Sequence, residues 1–185
     1  MKENKKVITA LDIGSSKILA VVAEIYKDGT FRVLAQGRAE SQGVLDGNVI
    51  SPEEALPQVK AALVEAFGIA GKMPSLDVCT NISGKSLEGK DSSAEMPLRG
   101  RTVTAMDMKN VQSMAQDALE LRDDQQLIKS DLLYYTLDNQ DDELTAQNTL
   151  DAKSSRISAH LHSAVTNSTS ALNRAKVIRR SGMDI

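Results

Sequence analysis

Tryptophan is absent from this 185-residue sequence, and two Phe and three Tyr bring the aromatic share to only 3%. Any core must therefore be packed from Val, Ile, Leu, Ala and Met. Cysteine is nearly absent too. The single Cys79 forms no disulfide within the chain, which fits a reducing compartment. One Cys and two His do not make a structural zinc site. Long apolar runs are missing. The longest, Ile18 to Ala23, falls far short of the roughly 20 residues a membrane span needs. Lys2, Lys5 and Lys6 imitate the start of a secretion signal, but Asp12 and Lys17 interrupt the apolar region that should follow. Neither sign of charge dominates: 22 basic and 25 acidic residues leave a net charge of -3. That balance disfavours a chain-wide grip on nucleic acid.

What remains is a chain long enough for one or two domains, with 41% hydrophobic and 25% charged residues. Its start reads as β. Lys6 to Asp12 and Lys17 to Ile25 are apolar runs separated by Gly14. Lys27-Asp28-Gly29-Thr30 supplies Asp-Gly turn chemistry before a third strand, Phe31 to Gln36. Tight turns between three strands predict antiparallel pairing. Gly37 to Asn48 reads as a loop, with a short strand around Val49.

Ser51-Pro52-Glu53-Glu54 predicts a helix start, with Ser51 and Glu54 forming a capping box and Pro52 at the first helical position. Leu56, Val59, Ala62, Leu63, Ala66 and Phe67 fall on one face. Pro57 predicts a kink or a late start, and Gly68 and Gly71 an end. Leu76 to Ser83 reads as a strand, and 84–101 as short strands or loop. Thr104 and Asp107 predict a second capped helix with Met108, Val111, Met114 or Ala115, and Ala118 inward, closed by Asp123 to Gln126. Ile128 to Leu137 reads as a strand, Asp138 to Thr149 as a loop and Arg156 to Thr166 as a strand. Asn167 is the expected cap of a last helix, with Ala171, Leu172, Ala175 and Ile178 inward and Gly182 at its C-terminal end. The mixture predicts an α/β or α+β fold.

The sharpest local feature is Leu11-Asp12-Ile13-Gly14-Ser15-Ser16-Lys17. A strand ends in Asp, passes a Gly, shows two hydroxyls and a Lys, and turns into a second strand. This chemistry suits a polyphosphate. Gly14 permits close backbone approach, Ser15 and Ser16 offer donors, Lys17 neutralises charge, and Asp12 can hold a hydrated magnesium ion. It is not a P-loop, since neither the lysine spacing nor a following helix is present. Taken alone, these seven residues are explained equally well by an ordinary β-turn.

Read together with its flanking strands, the D-I-G-S-S-K turn resembles the first phosphate loop of the actin-like superfamily, and within it the FtsA family of bacterial cell-division proteins. Four further stretches are similar to that family. They are Gly43-Val-Leu-Asp-Gly47-Asn-Val-Ile before the first helix, Asn81-Ile-Ser-Gly84-Lys85, Val103-Thr-Ala-Met-Asp107-Met-Lys-Asn-Val111, and the return from His160-Leu-His162 through Asn167 to Arg179-Arg-Ser-Gly182. The likeness runs the length of the chain in order and spacing. It implies an α/β, actin-like (ribonuclease H-like) first subdomain, in its N-terminal half, with an inserted small α+β subdomain. Residues 1–83 would form the first half of the nucleotide-binding subdomain. Residues 84–163 would form the insertion, used for protein contacts, and 164–185 would return to the first subdomain. The resemblance also implies ATP with magnesium as cofactor, held at Asp12, Gly14, Ser15, Ser16 and Lys17. It implies division proteins or further copies as partners, and a cytoplasmic location at the division site.

The family's second phosphate loop, D-x-G-G-G, does not occur in this sequence, nor do its adenine-contacting segments, second lobe and membrane-binding tail. The sequence therefore reads as part of a larger clamp. Phosphate held from one side predicts millimolar ATP affinity or none, and binding rather than hydrolysis. The expected function is an interaction module of the division machinery with a partial phosphate loop. The alternatives are a fragment of a complete actin-like ATP-binding protein of division or pilus assembly, or an actin-fold sugar kinase, whose catalytic residues would need a second lobe. Departures from the family are Pro57, Thr149-Leu-Asp-Ala-Lys-Ser-Ser155 where the family is glycine-rich, and Ser163 and Ala164 in the returning strand.

Four smaller features have ordinary explanations. His160 and His162 share a strand face and read as plain histidines, not metal ligands. Met114 reads as core. Arg174, Lys176, Arg179 and Arg180 complement a helix dipole. Cys79 reads as packed and unreactive. The scarcity of aromatics predicts exposed apolar surface near the first strands.

Overall fold

A computed structural model describes residues 5–71, 77–138 and 142–185. The chain runs β1 (Lys6–Ile13), β2 (Lys17–Ile25), β3 (Phe31–Glu40), β4 (Val44–Leu45), β5 (Asn48–Val49), α1 (Pro52–Ala70), β6 (Val78–Thr80), β7 (Glu88–Pro97), α2 (Ala105–Asp117), β8 (Gln125–Leu137), α3 (Ala146–Thr149), β9 (Arg156–Asn167) and α4 (Ser168–Arg180). It divides into two compact units. The first comprises the chain through Ser86 together with Ser168–Ile185, and the second comprises Leu87–Asn167.

The first unit is built on a four-stranded sheet ordered β3-β2-β1-β6. The tight turns produce the antiparallel β1–β2 and β2–β3 pairs, and the long crossover through α1 brings β6 in parallel to β1. Period-two alternation sends Leu11, Ile13, Ile18, Ala20, Val22 and Ala35 to one face. There they pack with Val59, Ala62, Leu63 and Ala66 of α1 and Val177 and Ile178 of α4. β3 is four residues longer than the expected strand. The glycine that suggested a loop sits inside it for another reason: a Cβ on Gly37 would lie 2.1 Å from the Ala62 carbonyl, so α1 rests directly on the strand there. The opposite face carries Ile8, Ala10, Val21 and Ile25, half-buried, and no helix packs on it among the described residues. Phe31 is 71% and Val33 51% exposed on that face. Cys79 pairs with Ala10 there and is exposed, not packed as expected.

α1 begins at Pro52 and continues through Pro57, so there is no late start, and it ends at the left-handed Gly71. The expected capping box does not form, and Ser51 makes no side-chain cap. The Ser51 N–H that Glu54 would accept is already donated to the Gly43 carbonyl at 3.0 Å. Leu76, expected in the next strand, lies outside the described residues. In α4 the inward residues are Arg174, Val177 and Ile178. Leu172, expected inward, is 62% exposed. Gly182 N–H donates to Arg179 and Met183 N–H to Ile178, the paired bonds of a Schellman end.

The second unit is a three-stranded antiparallel sheet ordered β7-β9-β8 with α2 on one face. Thr104 and Asp107 do form a reciprocal capping box. Met108, Val111 and Ala115 are buried, whereas Met114 is exposed, which settles the helix phase on Ala115. α2 stops at Asp117, ahead of the expected Asp123–Gln126. Gln125 instead opens β8, its side chain accepting from Arg122 N–H and donating to Glu88. Where short strands or loop were expected, β7 pairs with β9 along ten residues. Its sequence carries no apolar alternation because it is a sheet edge: its outer positions are exposed, and Lys90 and Ser92 stand among the inner ones. α3 interrupts the loop expected at 138–149, of which 139–141 lie outside the described residues.

Candidate functional site

The expected phosphate turn lies between β1 and β2. Gly14 N–H donates to the Lys17 carbonyl at 3.1 Å and closes the turn. Ser15 and Ser16 are exposed, and Lys17 opens β2 with no ion pair among the described residues. Asp12, one residue before the end of β1, is half-buried. The five expected residues thus form one continuous turn, at the carboxyl ends of the parallel pair β1 and β6. Ligands of open α/β sheets sit at such ends.

Three other segments converge on the turn. Gly47, in the β4–β5 turn, donates its N–H to Ser15 Oγ at 2.9 Å. Asn81, just after β6, donates its amide to Asp12 Oδ1 at 2.8 Å. The two motifs that flank α1 in sequence interlock. Gly84 has φ +113°, and a Cβ there would lie 2.2 Å from the Asp46 carbonyl; a Cβ on Gly47 would meet the Ser83 backbone at 2.9 Å. Lys85 pairs with Asp46 at 2.8 Å. Asn48 Oδ1 accepts from Ser86 and Ser170 at 2.9 and 3.0 Å, and Asn173 donates to the Val49 carbonyl at 3.0 Å, which ties α4 to the same loops.

At the centre stands Arg174, 4% exposed. Its guanidinium donates to the Ile13 carbonyl at 3.2 Å, the Gly47 carbonyl at 2.6 Å and Asn81 Oδ1 at 3.4 Å. Burial lowers its pKa from the ordinary value, while the nearby charge of Asp12 raises it. Arg174 is therefore not a helix-dipole complement, as expected, but the cation that joins three loops. Its i, i+3, i+4 spacing to Val177 and Ile178 was the sequence signal for its burial. Arg179 and Arg180 do occupy the last helical turn, and Arg180 also pairs with Glu53.

The donor set can be tested against a magnesium ion. Asp12 is the carboxylate of the turn, and one of its oxygens is already bonded by Asn81. The other acid nearby, Asp46, is paired with Lys85. Among the described residues no three His, Cys, Asp or Glu gather in a metal-holding group. With the Arg174 charge nearby, this set does not fit a divalent cation held directly by the protein.

In the second unit, His162 Nδ1 lies 2.6 Å from Asp91 Oδ1, and His160 stacks on Tyr134 with ring centroids 4.5 Å apart. A groove beside α2 is lined by Met108, Lys109, Gln112, Tyr135 and Leu150, with Gln112 donating to the Tyr135 hydroxyl. No helix among the described residues is long and apolar enough to cross a membrane.

This architecture is an α/β fold of the actin-like class. A solved structure of a PilM-PilN type IV pilus biogenesis complex shares it, with a TM-score of 0.58 and 15% identity, over 96% of this chain and 45% of that one. In sequence, the chain is similar to the N-terminal part of cell division protein FtsA. It is 29% identical to the Pseudomonas aeruginosa protein over 184 residues and 25% identical to the Escherichia coli K12 protein over 182. It spans 43% and 42% of the lengths of these relatives. No family model matches the chain.

Proposed function

We propose that the chain acts in bacterial cell division as a protein-interaction module, carried on an actin-like scaffold with one phosphate-binding turn. The observation that carries this is the end-to-end likeness: 99% of the chain aligns with a curated cell division protein. The inserted module expected at 84–163 corresponds to the surface offered to a division protein or another copy. Two features of the second unit support that use. The long edge strand β7 can accept a further strand, and Met106, in the first turn of α2, is exposed. The site of action would be the cytoplasmic face of the division site, reached through partners.

The test is recovery of division proteins with the tagged full chain, compared with Met106→Asp. Retention of a division protein that the variant loses is the expected result. Recovery of none overturns the proposal.

For the turn we propose phosphate binding by Ser15, Ser16 and Lys17 around Gly14, with ATP as ligand. Lys17, which has no ion pair among the described residues, and the exposed Ser15 and Ser16 support this. Held from one side, the nucleotide should bind in the millimolar range, about -4 kcal/mol. Titration calorimetry checks it, and a micromolar dissociation constant would count against a one-sided site.

A further inference from the structure

Arg174 is buried, yet all three of its acceptors are neutral. A guanidinium in a protein stays charged, and a buried charge hydrogen-bonded only to neutral acceptors is less stabilised than one paired directly with an anion. Its approach to an anion runs through an amide. Arg174 donates to Asn81 Oδ1, and Asn81 Nδ2 donates to Asp12. The charge of Asp12 is thus answered from the protein side. Lys17 adds a second cation with no ion pair among the described residues, while the Lys85–Asp46 pair is internally neutral. The turn therefore sets the buried Arg174 charge beside the single carboxylate of Asp12, and adds Lys17, which stands opposite Glu40 of β3. A divalent cation at Asp12 would be placed beside the Arg174 charge; a phosphate would relieve it.

We propose that this turn binds the phosphates of a polyphosphate ligand without a divalent cation, with Arg174 supplying from beneath the positive charge that a metal ion would otherwise bring. The inference rests on the phosphate-turn proposal above and reverses the magnesium role expected of Asp12. Arg174 also fixes the Ile13 and Gly47 carbonyls, so it holds the turn in the shape that presents Ser15 and Ser16 outward. Asp12 becomes the opposing charge of the site, not its metal holder.

The experiment is an amide-resolved NMR titration of the full chain, with ATP and separately with inorganic tripolyphosphate, in EDTA and then in excess magnesium. The expected result is movement of the Ser15, Ser16 and Lys17 amides in EDTA, with affinity unchanged or weaker after magnesium. Tripolyphosphate matching ATP would show that the phosphates alone are recognised; tighter ATP binding would add a contact to the nucleoside. Arg174→Met should weaken binding about tenfold, with the sheet amides elsewhere unmoved. Should that variant not fold, Asp12→Asn carries the test, because it removes the opposing charge and should strengthen binding in EDTA. Binding that requires magnesium, or that Asp12→Asn abolishes, overturns the inference and leaves the phosphate turn standing. No shift with either ligand under either condition overturns both.

Discussion

Asp107 shows how much a single carboxylate organises in the second unit. It is 6% exposed. It accepts from Arg101 at 2.5 and 2.6 Å and from the Thr104 N–H and hydroxyl at 2.9 and 2.6 Å. The Arg101 guanidinium, and then Thr104, hold its carboxyl far below the usual range. A depressed folded pKa gives stability that is fully present above the unfolded value of about 3.9 and lost as pH falls below it. Asp107→Asn should therefore cost on the order of 2 kcal/mol at neutral pH, through a weakened cap and Arg101 contact. Urea unfolding from pH 6 to pH 2 checks this. The native chain should lose stability below about pH 4, and the variant should lose less. The sequence made this pair legible because Thr104 and Asp107 stand at capping-box spacing. It concealed Arg174, because basic residues along a terminal helix have a common explanation at the surface. Only the three-dimensional meeting of Ile13, Gly47 and Asn81 shows that its side chain turns inward.

At the scale of elements, strands with apolar alternation were legible and those without it were not. β2 follows its expected bounds because both of its faces are apolar. β7 was hidden by its polar edge composition, and the end of β3 by Gly37, whose purpose is the approach of α1. The ends of α1 were legible from Pro52 and Gly71, but the cap at Ser51 was not, since the competing Gly43 carbonyl comes from a separate loop. Pro57 remains the weak point of this helix. It is exposed, and it denies one backbone bond inside a 19-residue helix. Pro57→Ala should stabilise the chain by about 1 kcal/mol, the regained helical bond outweighing the added freedom of the unfolded chain. A higher denaturation midpoint with an unchanged denaturant slope is the expected observation, and a lower midpoint would show that Pro57 is needed for its packing.

For the whole molecule, the scarcity of aromatics has a visible outcome. Small aliphatic residues fill the core under α1, and one of the two Phe stands in solvent at the end of β3. Phe31 and Val33 crown an apolar sheet face, and such faces promote association. Replacing both with Thr should reduce dye binding and concentration-dependent self-association, and change unfolding free energy by less than about 1 kcal/mol. Sedimentation across a concentration series decides it; unaltered association would place the sticky surface elsewhere. The first unit is also assembled from two separate stretches of sequence, and this gives its construction an order in time. The Ile13 carbonyl and the Arg174 guanidinium that binds it are 161 positions apart. At ribosomal rates of about 5–20 residues per second, the turn waits roughly 10 to 30 seconds for its cation. The intervening second unit is contiguous and can be complete before then. The turn between β1 and β2 is therefore made before the second unit and finished after it.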